Sequence, residues 1–152
     1  MMHRVQTIGT IEEVIAPSFT LLSARDGTPV SLYAFRHRQP VGLVFLSQES
    51  DISRVLTEIN RMLSEFRQAG AALLVITREP LPDAPPELTV LVDREADVFR
   101  RYECPWHCAI CLFGLDRYGA IVHRSACEEA VLTAALRELL KAIEFSEMQC
   151  PE

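Results

Sequence analysis

Long apolar runs are missing from this sequence. No stretch comes near the roughly 18 consecutive apolar residues that a membrane span needs, so no membrane association is expected. Excess positive charge is missing too. Lys and Arg number 15 against 21 Asp and Glu, for a net charge of −6. A broad phosphate-binding face, and with it a nucleic-acid partner, is therefore not expected. The compositional marks of disorder are absent, with 49% hydrophobic and 24% charged residues. No internal repeat and no Pro/Gly/Ser-rich linker interrupts the chain, so residues 1–152 read as one domain, long enough to bury a core without disulfides. The opening Met1-Met2-His3-Arg4-Val5-Gln6 is not followed by an apolar segment. No secretory signal is read there, and a cytoplasmic location is the expectation. Cysteine is missing from the first 103 residues, after which five follow: Cys104, Cys108, Cys111, Cys127 and Cys150. An odd number in a chain without a signal does not read as a disulfide framework. Three thiols packed into residues 104–111 suggest metal binding, redox chemistry or simple burial.

Apolar periodicity places the elements. Thr7 to Ile15 alternates in part and suggests a short strand, and Arg25-Asp26-Gly27-Thr28 is a turn signal between Thr20-Leu21-Leu22 and Val30-Ser31-Leu32. That pattern predicts an N-terminal hairpin. Val41 to Leu46 reads as a buried central strand. Ser47, Ser50 and Asp51 offer helix caps, and Ile52, Val55, Leu56, Ile59, Met62, Leu63 and Phe66 form one apolar helix face that ends at Gly70. Ala71 to Thr77 and Leu88 to Val92 are predicted strands on either side of a proline-rich loop. Asp93 is the expected N-cap of a short helix through Ala96, Val98, Phe99 and Tyr102. Ala109 to Leu115 and Ala120 to His123 form a second predicted hairpin around Asp116-Arg117-Tyr118-Gly119. Ala126 to Phe145 is the last predicted helix, with Val131, Leu132, Ala135, Leu136, Leu139, Leu140 and Ile143 facing inward. This order specifies an α/β fold around a mixed sheet.

Five segments in this order resemble the redoxins of the AhpC/TSA (peroxiredoxin-like) branch of the thioredoxin fold, from about Gly9 to Ile143. Ala16-Pro17-Ser18-Phe19-Thr20-Leu21 with Asp26-Gly27-Thr28-Pro29-Val30-Ser31-Leu32 is similar to that family's opening "APxFxL…DGxxVxL". Leu43-Val44-Phe45 resembles its first central strand, and Leu91-Val92-Asp93 with the helix to Tyr102 resembles its "D…YG" segment. Phe113-Gly114-Leu115-Asp116-Arg117-Tyr118-Gly119-Ala120-Ile121 is similar to its "FxIDxxGxI" hairpin. The resemblance implies a thioredoxin-like fold: a central mixed β-sheet flanked by helices, with an N-terminal β-hairpin.

The resemblance also locates a site, and there the sequence departs from the family. Ser50-Asp51-Ile52-Ser53 stands where thioredoxin-type members carry Cys-x-x-Cys. The peroxidase pattern Pro-x-x-x-Thr/Ser-x-x-Cys becomes Leu43, Ser47 and Ser50. The assisting arginine of that family would fall at Ile110, and its cis-proline near Cys111. A serine hydroxyl forms neither a sulfenate nor a disulfide, so ordinary peroxiredoxin catalysis is not expected. A nucleophilic Ser50 would need a base in reach, for which His107 is the one candidate. Capping of the helix explains Ser50 and Asp51 without chemistry, and the helix dipole alone favours Glu49 and Asp51 there.

By the same resemblance, Cys104-Pro105-Trp106-His107-Cys108-Ala109-Ile110-Cys111 lies in a loop that abuts this cleft. Three readings of it stay open. Cys104, Cys108 and Cys111 are candidate redox thiols. Residues three apart in a strand lie about 10 Å apart and face opposite ways, whereas a disulfide needs Cα atoms within roughly 7 Å. Cys108 can therefore bridge to Cys111 only from a turn; Cys104 with Cys108 or Cys111 is the other pairing. Alternatively Cys104, His107, Cys108 and Cys111 supply four donors for a tetrahedral zinc; otherwise no cofactor is expected. The third reading is burial, with Cys111 packing as a small hydrophobe and Trp106 packing at the cleft. Cys127 reads as lying near the start of the last helix, and Cys150 in a polar tail.

Two functions follow. One is thiol-based redox, by disulfide exchange or thiol sensing, through Cys104, Cys108 and Cys111, with a thiol/disulfide protein as partner. The other is a non-catalytic binding module of the same fold, with Ser47, Ser50 and Ser53 lining the altered cleft. A homodimer is compatible with either.

Overall fold

The uninterrupted apolar run of residues 41–46 becomes an interior strand of a seven-stranded sheet. The structure, a computed structural model, describes residues 14–47, 52–81, 83–105 and 110–149. Its strands are β1 (Thr20–Ser23), β2 (Pro29–Ser31), β3 (Val41–Leu46), β4 (Ala72–Thr77), β5 (Thr89–Val92), β6 (Ile110–Leu115) and β7 (Ile121–Cys127). Its helices are α1 (Ile52–Gln68), α2 (Asp97–Arg101) and α3 (Leu132–Gln149), with 3-10 turns at Leu32–Phe35 and Glu129–Val131. The strand order is β2-β1-β5-β4-β3-β6-β7. Strand β3 runs parallel to β4 and antiparallel to β6, and β4 runs parallel to β5. The sheet is mixed and the class is α/β.

Strands β3 and β6 are buried at every position because both sheet faces are covered, which is why their sequences are continuous apolar runs rather than alternating ones. Successive side chains of a strand point to opposite faces. Val44, Leu73, Val75 and Leu112 accordingly pack against Leu56, Ile59 and Phe66 of α1 and Leu136 and Leu139 of α3. Leu43, Phe45, Leu74, Cys111 and Phe113 face the other way, against Phe19, Val98, Phe99 and Tyr102.

Helix α3 lies close on β6 because Gly114 has no side chain. A Cβ there would stand 2.8 Å from Leu139 Cδ1 and 3.2 Å from His123 Cβ. Leu139 is fully buried and cannot swing aside. Gly114→Ala is expected to destabilise the chain by about 1–3 kcal/mol. The check is a lower denaturant midpoint at unchanged slope.

The hairpin of β1 and β2 forms as expected, with Thr20 opposite Ser31, and α1 ends at Gly70 with φ +78°. Four expectations need correction. The last helix begins at Leu132 rather than Ala126 and runs to Gln149 rather than Phe145, and the preceding strand continues from Ile121 to Cys127 rather than stopping at His123. Pairing with β6 is the reason: Cys127 lies opposite Ile110 and Ala126 opposite Cys111. Val131 consequently sits in a 3-10 turn, 53% exposed, and not on the inward helix face. The short helix spans only Asp97–Arg101, with Asp93 well outside it. Of the suggested strand Thr7 to Ile15, residues 7–13 lie outside the described residues, and Ile15 makes an isolated bridge to Ala120. Among the described residues, no helix is long and apolar enough to cross a membrane.

Candidate thiol site

The site is built on α2 and the two strands beside it. Helix α2 has five residues, too short to hold itself together. Its N-cap position is Ala96, in the left-handed region with φ 60° and no capping side chain. Asp93 caps it from outside. That buried carboxylate accepts hydrogen bonds from the backbone N–H groups of Val98 and Phe99, both at 2.9 Å. Asp93 thus satisfies two of the first-turn donors that otherwise have no partner. At the other end the Tyr102 hydroxyl donates to the Pro17 carbonyl at 2.6 Å, and its ring packs against those of Phe19, Phe45 and Phe113. Burial pushes this phenol above its ordinary pKa, so it stays a neutral donor.

The chain leaves α2 through a Schellman turn. The Cys104 N–H bonds to the Phe99 carbonyl at 3.0 Å and the Glu103 N–H to the Arg100 carbonyl at 2.9 Å. The turn needs a left-handed residue, normally glycine, and here Glu103 fills that place with φ 56°. Glu103→Gly is expected to raise stability by about 0.5–1 kcal/mol, read as a higher thermal midpoint. The turn delivers Cys104, half-buried, onto the second core. Pro105 follows.

Cys111 comes from β6, opposite Phe45 of β3, and is 4% exposed. The Cys104 and Cys111 thiols lie near enough to shift each other's ionisation, and both are free. The neighbouring Cys104 thiol holds Cys111 below the usual thiol range, opposed by burial and helped by Arg124. The neighbouring Cys111 and burial push Cys104 up. The pair therefore loses its first proton easily and its second with difficulty. Arg124 reaches it from β7. Its guanidinium carbon lies 5.5 Å from the centre of the Phe113 ring, and it donates to the Tyr102 carbonyl at 3.5 Å. Its charge favours the thiolate form of both cysteines.

Of the candidate redox thiols, Cys104 and Cys111 are brought together, and Cys108 lies outside the described residues. Among the described residues no group of three or more potential metal donors converges. His107, half of the proposed zinc set with Cys108, also lies outside them, as do Trp106 and Cys150. Ser47 is half-buried and lines a cleft with Leu46, Ile52, Thr77 and Arg78. Ser53 is exposed, and its carbonyl accepts the Thr57 hydroxyl at 2.9 Å. Ser50, Glu49 and Asp51 lie outside the described residues. This cleft and the thiol pair occupy one end of the sheet, since β3 ends at Leu46 opposite Ile110, where β6 begins. Cys127 is corrected to the end of β7, half-buried against the α1/α3 core, on the opposite face from Cys111.

Asp93, expected as the N-cap, does cap the short helix, from four residues ahead of Asp97. One residue escaped the sequence reading. Arg124 was overlooked because the search for an arginine stopped at the strand carrying Ile110. The signal lay in the hairpin register, which sets Arg124 opposite Phe113, on the face that carries Cys111.

No family model and no curated protein matches the sequence. Solved structures do match. A Chlorobium tepidum protein assigned as a thiol:disulfide interchange protein DsbE superposes with a TM-score of 0.70 at 20% identity, over 86% of this chain and 96% of that one. The mitochondrial 2-Cys peroxiredoxin of Plasmodium falciparum gives 0.71 at 18% identity, over 91% and 98%. Peroxiredoxin Q of Xanthomonas campestris gives 0.66 at 19%, over 83% and 92%. The chain has the thioredoxin fold. These neighbours are consistent with the redoxin resemblance in the sequence. At such identities the thioredoxin fold is what they share with this chain, and function depends on the site.

Proposed function

We propose that this thioredoxin-fold chain is a thiol–disulfide redox protein whose working pair is Cys104 and Cys111. The convergence of the two thiols carries the reading: both side chains lie on the second core, near enough to shift each other's ionisation, beside a guanidinium, and a disulfide between them needs only a sulfur–sulfur distance of about 2.05 Å. The oxidant is a disulfide of a protein partner or of a small thiol. Cys111 is nearly enclosed and Cys104 half-buried, so the incoming disulfide meets Cys104. Cys104 passes its proton to the Cys111 thiolate and attacks one sulfur of the substrate, expelling the other as a thiolate. That thiolate takes the proton from Cys111. Cys111 then attacks the Cys104 sulfur, closes the internal disulfide and expels the second substrate thiolate. Two thiols are oxidised and one disulfide is reduced. Ser47 and Ser53 take no part in this exchange and line the surface that receives the partner.

The test uses protein oxidised with excess glutathione disulfide, denatured without reductant, alkylated and weighed. Three of the five cysteines are expected to label. Arg101 and Arg117 bracket Cys104, Cys108 and Cys111 in one tryptic peptide, so the measurement is repeated on Cys108→Ser, which is expected to keep the disulfide. Labelling of every cysteine, or loss of the bridge in Cys108→Ser, overturns the assignment. A protein that labels fully and still captures partners would be the binding module instead.

A further inference from the structure

The Arg124 side chain has two claimants. It stands beside the thiol pair, and its Nη2 also lies 3.6 Å from Glu103 Oε1. Glu103 is an unexpected residue to find there. Its position is left-handed, where glycine costs nothing and a carboxylate side chain costs backbone strain. No helix-capping need explains it, since the turn's hydrogen bonds come from its backbone N–H and that of Cys104. The side chain instead projects into solvent, 79% exposed, and meets the one arginine that faces the thiols. The charged and titratable groups around the pair, among the described residues, are Arg124 from β7, Asp93 ahead of α2, and Tyr102 and Glu103 at the end of α2. Asp93 is engaged by the Val98 and Phe99 N–H groups and is buried. The Glu103–Arg124 contact is therefore the adjustable one, with both side chains more than half exposed.

We propose that Glu103 and the Cys104/Cys111 pair compete for the Arg124 guanidinium, making Arg124 a positioning residue that raises the reactivity of the pair and Glu103 the residue that restrains it. With both thiols free, Arg124 stands 3.6 Å from Glu103 and over the Phe113 ring, and ionisation of the pair draws it inward. Once the disulfide closes, no thiolate can form and Arg124 stays on Glu103 and the Phe113 ring. The surface beside the site thereby changes its charge pairing with oxidation state, and a partner can distinguish the two forms. This inference rests on the proposed redox use of the pair for its biological meaning, but its test does not need the disulfide to form.

The experiment follows thiolate absorbance at 240 nm against pH, and the rate of iodoacetamide labelling of Cys104 and Cys111 at pH 7, on the reduced full-length chain. Arg124→Gln is expected to move the first titration upward and slow labelling by about 2- to 5-fold, the size set by an exposed ion pair. Arg124→Lys is expected to restore part of the rate. Glu103→Gln is expected to move the titration downward and speed labelling by about 2-fold. In the double variant Glu103→Gln must add nothing to Arg124→Gln, because its action runs through the arginine. An unchanged pH profile in a folded Arg124→Gln protein overturns the proposal. So does a Glu103→Gln effect that persists at full size without Arg124. If titrations shift as stated but the oxidised protein labels at all five cysteines, the redox reading fails while the competition for Arg124 stands.

Discussion

Cys111→Ser, incubated with glutathione disulfide, should trap Cys104 as a mixed disulfide and gain the mass of one glutathione, whereas Cys104→Ser should trap nothing at Cys111. The asymmetry follows from burial: Cys104 is half-buried at the end of the Schellman turn, and Cys111 is 4% exposed between Phe45 and the β7 strand. In the proposed exchange the neighbouring Cys111 resolves the mixed disulfide, so no such adduct should accumulate in the parent chain. Removing either sulfur forfeits the advantage of holding two reactants together. Thiol–disulfide exchange turnover should fall by roughly 100-fold or more. Cys104→Ser replaces a half-buried thiol with a hydroxyl and should stay within about 1 kcal/mol of the parent in stability, so its loss of turnover is not a loss of fold. Glutathione found on Cys111, or turnover retained in both variants, would remove the pair from the reaction.

The second large effect concerns Asp93. Its carboxylate is buried, and it is the acceptor for two backbone N–H groups of a helix that has no other cap. Asp93→Ala leaves both donors buried without a partner. The expected cost is about 2–3 kcal/mol, or a thermal midpoint lower by roughly 5–10 °C in a domain of this size. Asp93→Asn retains one oxygen that can accept both bonds and loses only their charge assistance, so it should fall between the two. The same variants should slow closure of the Cys104–Cys111 disulfide, because α2 carries the turn that presents Cys104. Circular dichroism melts together with oxidation time courses measure both. Asp93→Ala with an unchanged melt would show that α2 is held by its packing on Phe45 and Tyr102 rather than by this cap.

Periodic burial was legible from the residues alone. The runs at Val41 and Ile110, the apolar face of α1 and the Asp26-Gly27 turn each follow from local chemistry, and together they specify the mixed sheet and its covered faces. So was the replacement of sulfur at Ser50 and Ser53, and the gathering of sulfur at positions 104–111. Which sulfurs meet was not legible, because that depends on contacts between segments distant in local pattern. Cys111 is fixed by the pairing of β6 with β3, and Cys104 by a left-handed residue at the end of a helix whose cap lies four residues before its first turn. Arg124 arrives through the register of β7, which also drew residues 124–127 out of the expected helix start. Hydrophobic spacing is written along the chain and survives being read there. The meeting of two thiols, and the charge beside them, exists only once the strands have paired and α2 has turned Cys104 toward Cys111.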